Sequence, residues 1–189
     1  MTGKTHQIIG QTVGLTTYFV LAGNGYDPAT FAFTVVVSSV AALLPDIDQP
    51  SSSLWRSIPM GRTAGAFVDP FIKHRNLSHS LLGTVIVGAA AYWLTSLMPS
   101  YWGVNTEIIL WVFLASYLSH LVADMVTVEG IPLLFPYQRM FGVPPRPFQG
   151  VRIVTGKWFE NRVIFPIVNI VLVLIIIIHW DKIRVVLFK

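Results

Sequence analysis

The stretch VIFPIVNIVLVLIIIIHW, from Val163 to Trp180, decides the fold class, because it holds no Asp, Glu, Lys or Arg and includes four consecutive isoleucines, Ile175 to Ile178. As a helix rising 1.5 Å per residue it reaches about 27 Å, close to the ~30 Å hydrocarbon core of a bilayer. Working outward, four more apolar segments approach the same requirement. Glu107 to Val122 lies upstream, preceded by Ser80 to Leu97, whose Gly and Ala content permits close helix packing. Ala29 to Leu44 follows a Gly23-to-Pro28 turn and stops at Pro45, which lacks a backbone donor. Ile8 to Ala22 is the weakest, short and interrupted by Gly10, Gln11 and Gly14. The expectation is an all-α polytopic membrane helix bundle of about five spans, forming a single domain over residues 1–189.

Composition agrees. Hydrophobic residues make up 53% of the 189, charged residues only 12%, and the mean hydropathy is +0.63. Lys and Arg outnumber Asp and Glu by 13 to 9. In a membrane protein that excess reflects orientation and headgroup contact rather than nucleic-acid binding. With no Cys, disulfides, thiolate metal sites and cysteine nucleophiles are excluded. No cleavage signal is evident near Met1, so the amino-terminal segment is expected to be retained.

Two long connections remain, Asp46 to His79 and Asp124 to Arg162. With five spans they share one side with the N-terminus, and the short turns and the C-terminus share the other. The first side then carries ten Lys and Arg and the second three, Lys182, Arg184 and Lys189. The positive-inside rule places the long loops in the cytoplasm and the C-terminus outside. Phe135, Tyr137, Phe141, Phe148 and Trp158 suit a headgroup-layer loop, and Val151 to Trp158, with a turn at Thr155-Gly156, reads as a short hairpin.

The same topology gathers His6, Asp46, Asp48, His74, His79, His120 and Asp124 at that face. Ionisable groups at membrane depth are retained mostly for function or pairing. His120 and Asp124 are four apart and share a helix face, as metal ligands or as a hydrogen-bonded pair closing the helix end. Asp46 and Asp48 lie two apart, and an extended turn after Pro45 lets both reach neighbouring cations, unless one caps a helix. His74 and His79 are five apart, about 140° around a continuous helix, so a break between them is expected, with Ser78 as N-cap of the next helix. Both could instead be solvated interfacial histidines, and His6 a solvated terminal one. Arg75 could clamp a phosphate through its planar fork or serve only as a positive-inside anchor. In the second loop, Glu129, Glu160, Arg152 and Lys157 are candidates for acid–base chemistry or substrate clamping, with solvated loop charges as the alternative. Asp48 and His79 are candidates for catalytic proton transfer as well as ligation. His179 falls on the opposite side and is excluded.

Imidazole with carboxylate suits Zn²⁺, with Mn²⁺ or Fe²⁺ as alternatives, over Mg²⁺ or Ca²⁺. Seven candidate ligands exceed the needs of one ion and point to two or more.

The ordered set of Thr5-His6, Leu44-Pro45-Asp46-Ile47-Asp48, His74-Arg75 with Ser78-His79-Ser80, and Ser119-His120 with Asp124 resembles the YdjM-type family, described as LexA-regulated membrane-bound metal-dependent hydrolases. That family is distantly similar to zinc-dependent phospholipase C. The resemblance implies that His6, Asp46, Asp48, His74, His79, His120 and Asp124 are metal ligands, and that the substrate is a membrane lipid or lipid-linked phosphoester met at the inner membrane of a prokaryote. No Gly-x-Ser-x-Gly nucleophile is present. The competing classes are a metal-ion transporter or sensor, and a scaffold whose polar cluster only anchors helices.

Overall fold

The computed structural model describes residues 1–23, 25, 27–48, 77–137 and 139–187, with only the backbone of Asp48 and Leu187. Among them the regular elements are helical: α1 Gly3–Leu21, α2 Pro28–Leu43, α3 Leu81–Ser96, α4 Thr106–Met125, α5 Phe165–Ile178 and α6 Trp180–Leu187. Three segments are long and apolar enough to cross a membrane, Pro28–Ile47, Thr106–Met125 and Glu160–Ile178. The other two expected spans are helices that fall short of that standard. α3 has only 16 residues, and α1 is diluted by polar side chains. Those of α1 are satisfied internally, as the Thr12 and Thr17 hydroxyls donate to the carbonyls of Ile8 and Val13.

α1, α2 and α4 pack mutually and form the centre of the bundle, with α3 against α4 and α5 against α1. The feature that made α1 look weak is what seats it. A Cβ on Gly10 would lie 2.2 Å from the Ala42 Cβ, and one on Gly14 would lie 2.4 Å from the Ser38 Cβ and 2.9 Å from the Ser116 Oγ. These two glycines, one helical turn apart, let α1 approach the backbones of α2 and α4 closely. The contact is polar as well as tight, since the buried Ser116 hydroxyl donates to the Gly10 carbonyl at 3.1 Å. At the far end Leu15, Tyr18, Phe19, Ile108, Val112 and Ile183 make an apolar core. α5 contributes no buried residue and presents most of its circumference outward, as a lipid-facing helix would.

Helix ends follow local chemistry. Asp27 caps α2 by accepting from the Thr30 N–H at 2.6 Å, with Pro28 in the first turn. Asn105 caps α4 through the Ile108 N–H. For α3 the cap is Ser80, which accepts from Gly83 N–H at 3.0 Å, and not Ser78 as expected. His79 therefore sits in a turn before the helix, a turn packed so tightly that a Cβ on Gly83 would lie 1.9 Å from the Leu77 carbonyl oxygen.

Two further expectations are corrected. The backbone after Leu43 is not an extended turn but a 3-10 helix, Leu44–Asp48, because the chain keeps helical dihedrals while Pro45 withholds an N–H. The hairpin over Val151 to Trp158 does not form. The turn at Gly156 exists, with φ +72°, but Ile153 forms an isolated parallel bridge with Thr127 instead of pairing across that turn. This stitches the loop to the end of α4 through Val128 N–H to Ile153 O and Ile153 N–H to Val126 O, both 3.0 Å.

Replacing Gly14 with Val forces side-chain volume into the α1–α2–α4 contact. Overpacking of a close-packed interior costs about 1–3 kcal/mol. A lowered melting temperature of the detergent-purified protein checks this, with Gly150→Ala, which meets no neighbour within 4 Å and has no left-handed backbone, setting the cost of a glycine change in open space.

Candidate metal centre

Four helices deliver ligands to one end of the bundle because each alternates direction with the next. His6 lies in the first turn of α1, Asp46 in the 3-10 turn after α2, His79 just before α3, and His120 with Asp124 in the last turns of α4. His6, His79, His120 and Asp124 are buried, and the Asp46 side chain is only 13% exposed.

In the inner set, the two imidazoles lie close to each other and to both carboxylates. His79 Nε2 and His120 Nε2 are 3.2 Å apart. From Asp46 Oδ1 they lie 3.7 and 3.8 Å, and from Asp124 Oδ2 both lie 3.6 Å. Four nitrogen and oxygen ligands at 2.0–2.1 Å from a tetrahedral ion are separated by about 3.3–3.4 Å. The side chains present therefore fit a divalent transition metal with little movement. Two imidazole nitrogens and two carboxylate oxygens are also the donor set such an ion prefers.

Each imidazole is turned toward that point by its other nitrogen. His120 Nδ1–H donates to the Ala42 carbonyl at 2.6 Å, and His79 Nδ1 lies 3.1 Å from the Ser78 hydroxyl, leaving both Nε2 atoms to face the cluster. Tyr117, one turn before His120, donates its hydroxyl to the Ser78 carbonyl and fixes the His79 turn against α4.

Asp124 has a second side. Its Oδ1 faces His6 Nε2 at 3.0 Å and the Met1 amino group. The His6 ring stacks on His120, with centroids 3.6 Å apart and planes 11° from parallel. Although His6 Nε2 lies 3.0 Å from Asp124, it is misaligned for a hydrogen bond, and neither of its buried ring nitrogens has a hydrogen-bond partner among the described residues. A buried imidazole left this way is costly unless a cation takes its lone pair. His6, His120 and Asp124 form one group able to hold an ion, and Asp46, His79 and His120 form another, with His120 common to both.

Of the seven ligands expected from sequence, the structure brings five together: His6, Asp46, His79, His120 and Asp124. His74 and the side chain of Asp48 lie outside the described residues, as does Arg75. Glu160 is buried, its Oε1 accepting from the Thr2 N–H and hydroxyl at 2.7 and 2.8 Å and its Oε2 from Gly156 N–H at 2.7 Å. It thereby ties the start of α1 to the second loop. Glu129 is exposed and accepts from the Thr155 hydroxyl at 3.0 Å. Arg152 spends its guanidinium on the carbonyls of Pro144 and Gly142, at 2.8 and 2.9 Å, and Lys157 is exposed. His179 stacks on Phe19, thirteen residues and about 20 Å along α1 from His6, which places it at the other end. Residues that the motifs did not single out are Ala42, Tyr117, Gly10 and Gly14. Only Tyr117 carried a signal, its one-turn spacing from His120.

Comparison with known proteins identifies the family. The family model described as "YdjM inner membrane protein" matches residues 1–185. The chain is 37% identical over 116 residues to the inner membrane protein YdjM of Escherichia coli strain K12, covering 58% of this chain and 53% of that protein, and matches the Shigella flexneri protein equally. It thus spans about half the length of these two relatives. It is 33% identical over 166 residues to the uncharacterized protein YvsG of Bacillus subtilis, covering 87% of this chain and 88% of that one. No solved structure matches. The chain belongs to the YdjM family of inner membrane proteins.

Proposed function

We propose that this protein is a membrane-embedded metal-dependent hydrolase that cleaves a phosphoester of a lipid or lipid-linked substrate at the cytoplasmic face of a prokaryotic inner membrane. The single observation supporting it is the convergence of Asp46, His79 and the α4 pair His120 and Asp124 from three chain segments, with imidazole–imidazole and imidazole–carboxylate distances of 3.2–3.8 Å. The group holding His6 shares His120 with the group of Asp46 and His79, and Asp124 reaches both sides, Oδ1 toward His6 and Oδ2 toward His79 and His120. A shared carboxylate is how paired ions are held within a few ångströms. Bound divalent ions would supply Lewis acidity toward water and toward a phosphoester oxygen.

The protein's own residues do the rest. The Ala42 carbonyl and Ser78 hydroxyl hold the two imidazoles in the orientation that ligation requires. Asp46 is the most exposed of the ligands, so the cluster opens on its side, where substrate would approach and where Asp48 would follow in the chain. Asp48 and His79 are the proposed carriers of protons there. Glu160 already accepts three hydrogen bonds, and we assign it to positioning: it anchors Thr2 and so the first turn of α1 that bears His6. Ligands at helix ends, rather than within broken helices near the midplane, favour hydrolysis over transport.

Three outcomes follow. Protein purified without chelator carries transition metal, about two ions per chain by elemental analysis, and His79→Ala or His120→Ala lowers that content. Loss of an outer partner costs about 10- to 100-fold in metal affinity or activity, so Asp46→Asn, which changes a direct ligand, lowers Zn²⁺- or Mn²⁺-dependent hydrolysis of phospholipid or a chromogenic phosphodiester by at least about 100-fold. Glu160→Ala leaves the donors of Thr2 and Gly156 unmatched. It lowers thermal stability by about 1–3 kcal/mol and weakens metal retention, both read on the same purified sample.

A further inference from the structure

The second loop contains a cavity of about 550 Å³, within the usual range of ligand sites, lined by Arg139, Arg146 and Arg152 with Phe141, Gly142 and Pro145. No Asp or Glu is among its described lining residues. Three guanidiniums, charged at every accessible pH, repel one another around a common space unless an anion enters it. Arg139 and Arg146 are exposed and make no hydrogen bond or ion pair among the described residues. Arg152 is built in. Its Nε and Nη2 donate to the carbonyls of Pro144 and Gly142, which fixes the plane of the fork. A Cβ on Gly142 would fall 2.4 Å from Arg152 Nη1 and 2.5 Å from its Cζ, so a side chain there would have to displace the guanidinium from this place.

The pocket is also held at the end of the bundle that carries the metal ligands. Val143 N–H donates to the carbonyl of Met125, the residue after Asp124, at 2.8 Å. Around it Tyr137, Met140, Phe148 and Val151 are exposed, as amphipathic loop residues are at a bilayer interface.

We propose that the Arg139–Arg146–Arg152 pocket is a binding site for a phosphate-bearing anion, separate from the metal centre. Arg forks match phosphate oxygens in pairs, and the fixed fork of Arg152 lines the same space as the two exposed ones. The chemistry is shared by a phospholipid headgroup and by a free phosphate compound. The site does not depend on the hydrolase reading, because none of its residues belongs to the metal cluster.

The test is calorimetric titration of the full chain, purified in a neutral maltoside detergent, with inorganic phosphate and separately with dihexanoyl-phosphatidylglycerol below its micelle concentration. Wild type and Asp46→Asn should bind with similar affinity, which separates this site from phosphate held at metal. R139Q/R146Q should bind at least about tenfold more weakly, and R139K/R146K, which keeps the charge but loses the paired fork, should bind with an affinity between the two. Tighter binding of the lipid identifies a headgroup as the ligand, and tighter binding of inorganic phosphate identifies a soluble one. Absence of binding to wild type, or equal binding by R139Q/R146Q with its melting temperature unchanged, overturns the proposal.

Discussion

The structure depends on keeping an imidazole–carboxylate cluster dry at the end of a helix bundle. Asp124 is buried and touches His6, His79 and His120, so three separate segments are held by one carboxylate. Charge in such a place is tolerated only when it is paired or ligated. The pairing in turn requires α1, α2 and α4 to meet closely, which Gly10 and Gly14 permit by removing side chains where Ala42, Ser38 and Ser116 press in. Bundle packing and site geometry are therefore one constraint seen from two ends of α1.

From that constraint a division of labour follows. The helix ends supply a rigid set of donors whose orientation is fixed by a carbonyl of α2 and a hydroxyl of the His79 turn. The long second loop supplies exposed cations and aromatic side chains, and is itself tied to the last residues of α4 by backbone hydrogen bonds at Met125 and Val126. Glu160 closes the arrangement by binding both the loop, at Gly156, and the chain start, at Thr2. A polar centre and a basic, partly apolar rim thus share one end of the bundle.

Much of this was legible in the residues. Uninterrupted apolar runs such as Ile175 to Ile178 declare helices, and the four-residue spacing of His120 and Asp124 places both on one helix face. Alternating helix direction then brings His6, Asp46, His79 and His120 together without knowledge of any contact. What stayed illegible was decided by tertiary packing. Gly10 and Gly14 read as interruptions of a span because their meaning lies in Ala42, Ser38 and Ser116, far away in sequence. Ser78 and Ser80 are equally good N-caps by type, and the choice of Ser80 depends on the Leu77 carbonyl resting against Gly83. The pairing of Ile153 with Thr127 in place of a local hairpin is likewise a long-range choice. Glu160, equivalent in type to Glu129, differs from it only through the donors of Thr2 and Gly156.

The central claim is that a metal ion sits among His79, His120, Asp46 and Asp124. X-ray absorption at the zinc edge of protein loaded with one equivalent of Zn²⁺ tests it most directly. The account predicts a four-coordinate shell of nitrogen and oxygen at about 2.0–2.1 Å with outer-shell scattering from two imidazole rings, which disappears in part when His79 is replaced by Ala. A spectrum lacking imidazole scattering, or one unchanged by His79→Ala, would contradict it.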